Sequence, residues 1–385
     1  MRTKARLLAL AAALAAVICA ACAKTGPQAP LPPSGQATFA AYAVETRDFV
    51  ARRKKIVSNR PLDEIAWNSP MEWRPEKPTD KGVLLIHGLG DSPFSFIDIG
   101  PLMSEKGFLA RAILLPGCGT NPEDLIGMEL SDWRRTVSEQ VQLLRQEVGH
   151  VYLGGFSTGA NLALDFALID NSIDGIVLFS PAFKSTTSLA FLAPLAAELM
   201  DWVVRPSPGL KGLSPVRYDM VPADSFALWY HSTQRLWPIK PYPGPALVIL
   251  SEKDSVVDVL SVASDFDARF PHPDSRLIWY GSGQKVEGLT GRLLTRPAEA
   301  PEYRVDNFSH MGALFSPKNP EYGPEGAQRL CRNGQGEELF ERCLADPQVR
   351  YSAYGAAKFG QPSARLTFNP WFDWQAEVLF EVWGE

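Results

Sequence analysis

The sequence predicts an α/β protein whose parallel sheet is covered by helices on both faces. Three observations predict it. Continuous apolar runs such as Gly82–Ile86 (GVLLI) and Ala246–Leu250 (ALVIL) have the length and uniform hydrophobicity of strands buried on both sides. Stretches with apolar residues at helical spacing separate these runs, and that alternation implies parallel pairing. One strand, Val151–Gly154, passes through Gly155-Phe156-Ser157-Thr158-Gly159 straight into a helical pattern carrying Leu162, Phe166 and Ile169. A G-x-S-x-G turn between strand and helix is the context in which a serine hydroxyl is lifted clear of a sheet. In a chain with 30 glycines, chance supplies about 0.1–0.2 such pentapeptides, so the flanking elements carry much of its weight.

Taken in order, the chain predicts an outer helix over Phe39–Val57 and a short edge strand over Glu64–Trp73, broken by Pro70. Gly82–Ile86 follows as a buried strand, Phe94–Lys106 as a helix and Phe108–Leu115 as a strand. Ser131 is positioned to cap a helix whose Trp133, Val137, Val141, Leu144 and Val148 share one face. After the serine turn comes strand Ile173–Phe179. The rhythm then breaks. Pro181–Pro245 reads as helical pieces rich in large apolar residues, among them Phe191, Leu195, Met200, Phe226 and Trp229. Strand Ala246–Leu250, helix Val259–Phe270 and strand Arg276–Tyr280 restore it. Gln284–Tyr303 reads as an irregular insertion, Pro324–Gly360 as an excursion, and Trp371–Trp383 as a closing helix. No internal repeat is present.

Composition limits the partners. A formal net charge of −5, with no long basic run after residue 60, argues against nucleic acid, and 45% hydrophobic residues are ample for a core. No His or Cys spacing matches a zinc site, and neither metal nor cofactor is expected. Arg2, Lys4 and Arg6 precede the apolar run Leu7–Ala21, which is short for a membrane span and reads as an export signal. Ala20-Ala21-Cys22 resembles the end of a bacterial lipoprotein signal, with Cys22 lipidated, although Cys19 stands where Leu is usual. Ala21-Cys22-Ala23 also fits a cleavage site that releases a soluble protein, and an uncleaved anchor is the third alternative. The expected organisation is therefore a signal over 1–22, a Pro-rich tether over 23–38 and one domain over 39–385. Within that domain, 181–245 and 324–360 are the inserted segments. Export puts the protein at a membrane face, in the periplasm or outside the cell. It also suits a bond between Cys331 and Cys343, worth about 2–3 kcal/mol if unstrained, which leaves Cys118 as a free thiol.

A serine hydroxyl is a weak nucleophile until a base takes its proton, so Ser157 requires a histidine. His310, in DNFSHMG, lies past the last strand, where a chain ordered Ser, Asp, His places its base; His231 is its main rival. The acid that orients the imidazole is expected in SEKDSVVD after strand Ala246–Leu250. Asp254 is preferred, ahead of Asp258, which also serves as a helix cap, and Glu252. The amides of Leu89, in the glycine turn after Gly82–Ile86, and of Thr158, opening a helix, are the expected oxyanion donors.

At these residues the chain resembles the α/β-hydrolase fold, and within it the carboxylesterase, monoacylglycerol lipase and lysophospholipase-like branch. GVLLIHGLGDSP, LLPGCGTNPEDL, VYLGGFSTGANLAL, ILSEKDSVVD and SHMGALFSP carry the resemblance, in order, across about Trp67–Glu385. It implies an eight-stranded, mostly parallel sheet, a Ser157–His310–Asp254 triad and a helical lid, here 181–245, inserted after the sixth strand. Cys118 departs from it by replacing a frequent His, which marks Cys118 as a packing residue. So does the long stretch from Tyr280 to His310. The implied activity is hydrolysis of a carboxylic ester with an apolar acyl group, the partner being a small ester or lipid. A peptidase or amidase on the same triad and a catalytically idle surface binding module are the alternatives.

Overall fold

The computed structural model describes residues 30–203, 212–282, 286, 291–358 and 360–385. The expected signal, Cys22 and the first part of the tether lie outside the described residues. Helix α1 (Phe39–Arg53) opens where the Thr38 hydroxyl accepts the Ala41 N–H, and it buries Phe39, Tyr42, Thr46 and Val50 at helical spacing. The edge element differs from expectation. Pro61 starts a helix, α2 (Pro61–Trp67), and the strand β1 is reduced to Met71–Trp73. Proline is favoured in a helix's first turn and has no N–H for a ladder, so Pro61 begins a helix and pairing starts only past Pro70.

Strand β2 (Lys81–Ile86) is followed by a 3₁₀ turn over Pro93–Phe96 and helix α3 (Ile99–Glu105), where one longer helix was expected. Pro101 has no N–H for the carbonyl of Ile97, so a continuous helix cannot pass. Strand β3 (Leu109–Ile113) leads to α4 (Leu130–Arg145). Its cap is Glu129 rather than Ser131. Glu129 and Asp132 cap reciprocally, and Ser131 sits in the first turn donating to Glu129 at 3.0 Å. Trp133, Val137, Val141 and Leu144 are buried as expected, each worth about 1.5–3 kcal/mol when fully removed from water.

Next come β4 (His150–Phe156), α5 (Thr158–Ala167) and β5 (Ile173–Phe179). Ile169, expected on the buried face of α5, lies beyond its end and is exposed. The insertion holds α6 (Ala193–Leu199) and α7 (Ala223–Arg235) and returns to β6 (Ala246–Ser251). Counted along this chain it follows the fifth strand, not the sixth. A single strand precedes the parallel series at one edge, and the eighth is added at the other. The Val259–Phe270 helix is two short ones, α8 (Val259–Ser264) and α9 (Phe266–Arg269), meeting at Asp265. After β7 (Arg276–Tyr280), the segment read as irregular contributes β8 (Leu293–Arg296). Four residues showing no buried alternation left no period to read. The excursion carries α10 (Glu337–Ala345) and β9 (Arg350–Ser352). It is followed by β10 (Ser363–Arg365) and the closing helix α11 (Phe372–Val382). Cys331 and Cys343 are disulfide-bonded, and Cys118 is free and buried.

The main sheet runs β1-β3-β2-β4-β5-β6-β7-β8, all parallel except β1, which pairs antiparallel with β3. Successive strand residues serve two cores: Leu84 and Ile86 on one face with α1, α4 and α5, Val83 and Leu85 on the other with α3 and α11. The register places Ile86 opposite Gly155, Phe156 opposite Phe179 and Phe179 opposite Ile249. The C-terminal ends of β2, β4, β5 and β6 are therefore level, and the loops that leave them share one edge of the sheet. Among the described residues no helix is long and apolar enough to cross a membrane.

Candidate active site

Ser157 sits between β4 and α5 with φ +53° and ψ −117°, a conformation non-glycine residues rarely adopt and one that costs about 1–3 kcal/mol. Backbone hydrogen bonds on both sides hold it there. Its N–H donates to Phe179 O at 2.9 Å, and its carbonyl accepts from the N–H groups of Ala160, Asn161 and Ala182. The glycines on either side make the turn sterically feasible. A Cβ at Gly155 would overlap the Gly159 carbonyl, and one at Gly159 would overlap the carbonyls of Ile86 and His87.

His310 reaches Ser157 across 153 residues of sequence, its Nε2 lying 2.9 Å from the serine Oγ. On the other side its Nδ1 is 2.6 Å from Asp254 Oδ2. A carboxylate only accepts, so Nδ1 carries the ring proton and Nε2 offers a lone pair to the hydroxyl. Asp254 Oδ1 accepts from the N–H groups of Val256 and Val257 at 2.8 and 3.0 Å, which fixes the carboxylate. The long path from Tyr280 is taken up by β8 and the turn at Pro301–Tyr303. The His310 loop is then anchored from three sides. Ser180 Oγ donates to the His310 carbonyl at 2.8 Å, Ser309 Oγ donates to Leu366 O at 2.5 Å, and Phe308 stacks on Tyr280 with ring centroids 4.3 Å apart. Ser180 and Ser309 escaped the sequence reading because a lone serine carries no signal of what it will face.

The competing candidates are elsewhere. His231 lies on the exposed side of α7 and does not line the cavity over Ser157. Asp258 caps α8 through the Ser261 N–H and pairs with Lys184, and Glu252 accepts from the Ser282 N–H. Leu89 and Thr158 both line the cavity, about 1010 Å³ in volume, that opens over Ser157 and His310. Gly88 brings the Leu89 turn against the serine, since a Cβ there would lie 3.2 Å from Ser157 Cβ. The amide of Thr158 begins a helix and so has no acceptor within it. Much of the cavity wall is apolar and comes from the insertion, including Leu189, Leu192, Ala196, Val203 and Phe226. Several large apolar residues there are exposed rather than packed as a lid core: Phe191, Leu195, Met200 and Trp237 among them.

His87 holds the glycine turn in place. Its Nδ1 donates to Gly88 O at 2.8 Å, and its Nε2 accepts the Leu115 N–H at 3.1 Å, which requires the neutral ring. Burial pushes its pKa from 6.5 down to about 4. The unfolded chain therefore binds a proton through a pH range in which the folded chain does not. His87's contribution is complete above pH 6.5 and is lost as pH falls toward 4. Urea unfolding should show the parent losing about 2 kcal/mol more between pH 7 and 4.5 than His87→Gln loses. Equal pH dependence in the two would mean that His87 does not act as a neutral staple. Cys118, beside the same turn, is pushed up to about 12 by burial, so its thiolate is suppressed and the residue packs. Among the described residues there is no cluster of three side chains able to hold a metal ion.

The chain is similar over part of its length to known proteins. The family described as serine aminopeptidase, S33, matches residues 77–225. A thermostable monoacylglycerol lipase from Bacillus sp. (strain H-257) is 27% identical over 179 residues, which is 46% of this chain and 71% of that protein. Among solved structures, the chain is similar to a soluble variant of monoglyceride lipase from Saccharomyces cerevisiae. Identity is 18%, coverage 56% of this chain and 81% of that one, and the TM-score 0.46. It is likewise similar to the Paleococcus ferrophilus monoacylglycerol lipase: 19% identity, 55% of this chain and 88% of that one, TM-score 0.44. The parallel sheet with its level strand ends and the G-x-S-x-G turn give the chain an α/β-hydrolase fold, and over part of its length it is similar to lipase- and esterase-like hydrolases.

Proposed function

We propose that the protein is a serine hydrolase that cleaves carboxylic esters bearing an apolar acyl group through an acyl-enzyme on Ser157. The observation that carries it is the unbroken chain from Asp254 through His310 to Ser157, ending in a cavity with an apolar wall. The coarser assignment, ester hydrolysis, draws on the family match and the Bacillus relative. In the first step Ser157 Oγ attacks the ester carbonyl while His310 Nε2 takes its proton. Asp254 stabilises the imidazolium that results. The N–H groups of Leu89 and Thr158 receive the negative charge that develops on the carbonyl oxygen. His310 then passes its proton to the departing alkoxide, and the alcohol leaves. Water, deprotonated by the same nitrogen, attacks the acyl group and restores Ser157. General-base help is worth about 10²–10⁴ in rate and an oxyanion donor about 10²–10³.

A p-nitrophenyl ester series from acetate to dodecanoate tests the reading. Turnover should rise with chain length until the acyl group fills the apolar wall, because each buried CH₂ adds about 0.8 kcal/mol of transfer free energy. A flat response would remove the acyl preference, and no turnover of any ester would remove the hydrolase reading. The matching anilide separates ester from amide cleavage. For location we propose export and attachment through a lipid on Cys22. The Cys331–Cys343 bond supports an oxidising compartment.

A further inference from the structure

One wall of the cavity does not suit a purely neutral ester. Arg217, from the insertion, and Arg365, at the end of β10, both line the space that holds Ser157 and His310. Neither forms an ion pair among the described residues. The Arg217 guanidinium meets the Met311 sulfur at 2.7 Å, so it sits against the residue that follows His310. Arg365 precedes Leu366, whose carbonyl anchors Ser309, the residue before His310. Both cations therefore belong to the part of the cavity wall next to the histidine loop.

Their surroundings hold them with no carboxylate in ion-pair contact among the described residues. Arg365 lies over the Tyr354 ring at 4.9 Å, donates to the Arg332 carbonyl at 3.0 Å, and keeps a buried Nε with no hydrogen-bond partner. Its own N–H donates to Leu330 O. Leu330 and Arg332 bracket Cys331, so the disulfide-bearing excursion is what sets this wall. Arg217 is fixed through its neighbour Tyr218, whose N–H donates to Gly90 O at 2.6 Å and whose hydroxyl bonds Gly117 O. Burial and the nearby Arg217 push the Arg365 pKa down to about 10, which still leaves it charged at neutral pH. Two acids share the lining and attract the cations from a distance, Asp91 acting on Arg217 and Asp219 on Arg365, while their hydrogen bonds go elsewhere. Asp91 accepts from Ser92 N–H and Ser95 Oγ, and Asp219 accepts from Ser214 N–H. Lys184, the other cation of the lining, pairs with Asp258 at 3.1 Å.

Two like charges held near one another at a cavity wall, both half-buried, are stabilised by an anion that accepts from both. We propose that Arg217 and Arg365 form an anion subsite, and that the preferred ester carries a phosphate or carboxylate group as well as an apolar chain. The inference rests on the esterase reading and names the substrate class of the same site.

The test measures binding to Ser157→Ala protein by calorimetry, below micelle concentrations, so that no turnover is needed. Dodecyl phosphate and dodecanoate should each bind at least 10-fold more tightly than neutral 1-dodecylglycerol. Arg365→Met and Arg217→Met, each in that background, should lower anion affinity at least 10-fold and neutral affinity much less. Arg365→Lys should fall between, since an ammonium keeps the charge and loses the fork. It also serves as the folded comparison if Arg365→Met does not fold. Preference for phosphate over dodecanoate, or the reverse, identifies which anion the subsite takes. Equal binding of neutral and anionic ligands, or equal losses for both in the variants, would overturn the proposal. The parent enzyme separates the two readings. Hydrolysis of neutral esters without anion preference removes only the subsite, and anion binding without hydrolysis of any ester removes only the chemistry.

Discussion

Ser157→Ala is expected to fold like the parent and to hydrolyse p-nitrophenyl esters at background. The loss should be on the order of 10⁴-fold or more, because removing the nucleophile of a triad disables all three members together. Structurally the change is small. It deletes one hydroxyl and its 2.9 Å hydrogen bond to His310 Nε2, an interaction worth about 0.5–1.5 kcal/mol, and leaves the backbone contacts of residue 157 in place. Thermal melts of the two proteins should therefore nearly coincide. A fluorophosphonate probe should label the parent and not the variant, since only an activated serine reacts. If the variant kept a tenth of the activity, Ser157 would not be the nucleophile.

Gly159→Ala should do more damage to the fold than any other single methyl group near the site. A Cβ there would overlap the backbone carbonyls of Ile86 and His87, and backbone cannot rotate aside as a side chain can. Either the end of β2 or the start of α5 must move. Displacements of this kind produce losses on the order of 4 kcal/mol or more. The same shift separates Ser157 from the Leu89 turn, and about 1 Å of misplacement in a catalytic group costs about 10²-fold in rate. Urea unfolding and ester turnover should fall together. A variant with parental stability would show that the serine turn can relax away from β2, which its packing denies.

Much of this architecture is legible in the order of the residues. The apolar runs at β2, β5 and β6 could only be buried strands, and Gly155 and Gly159 announced a turn too tight for side chains. Asp254 and His310, which the structure brings together with Ser157, could be singled out from chain order and their loops. Elements with weak local signals were missed. Strand β8 has four residues and no buried period, the cap of α4 went to Glu129 because reciprocal bonding with Asp132 outweighs the serine, and Pro61 started a helix that takes in the first residues of what read as a strand. Sequence composition and periodicity set the layers of the sheet and the residue types of the site, since these follow from burial and local steric rules within a few residues. Tertiary structure alone brought Arg217 and Arg365 to the cavity that holds His310, fastened the histidine loop through Ser180 and Ser309, and left several apolar residues of the insertion exposed. Each of those contacts joins segments far apart along the chain, and no local preference of an arginine or a serine encodes the partner it will meet.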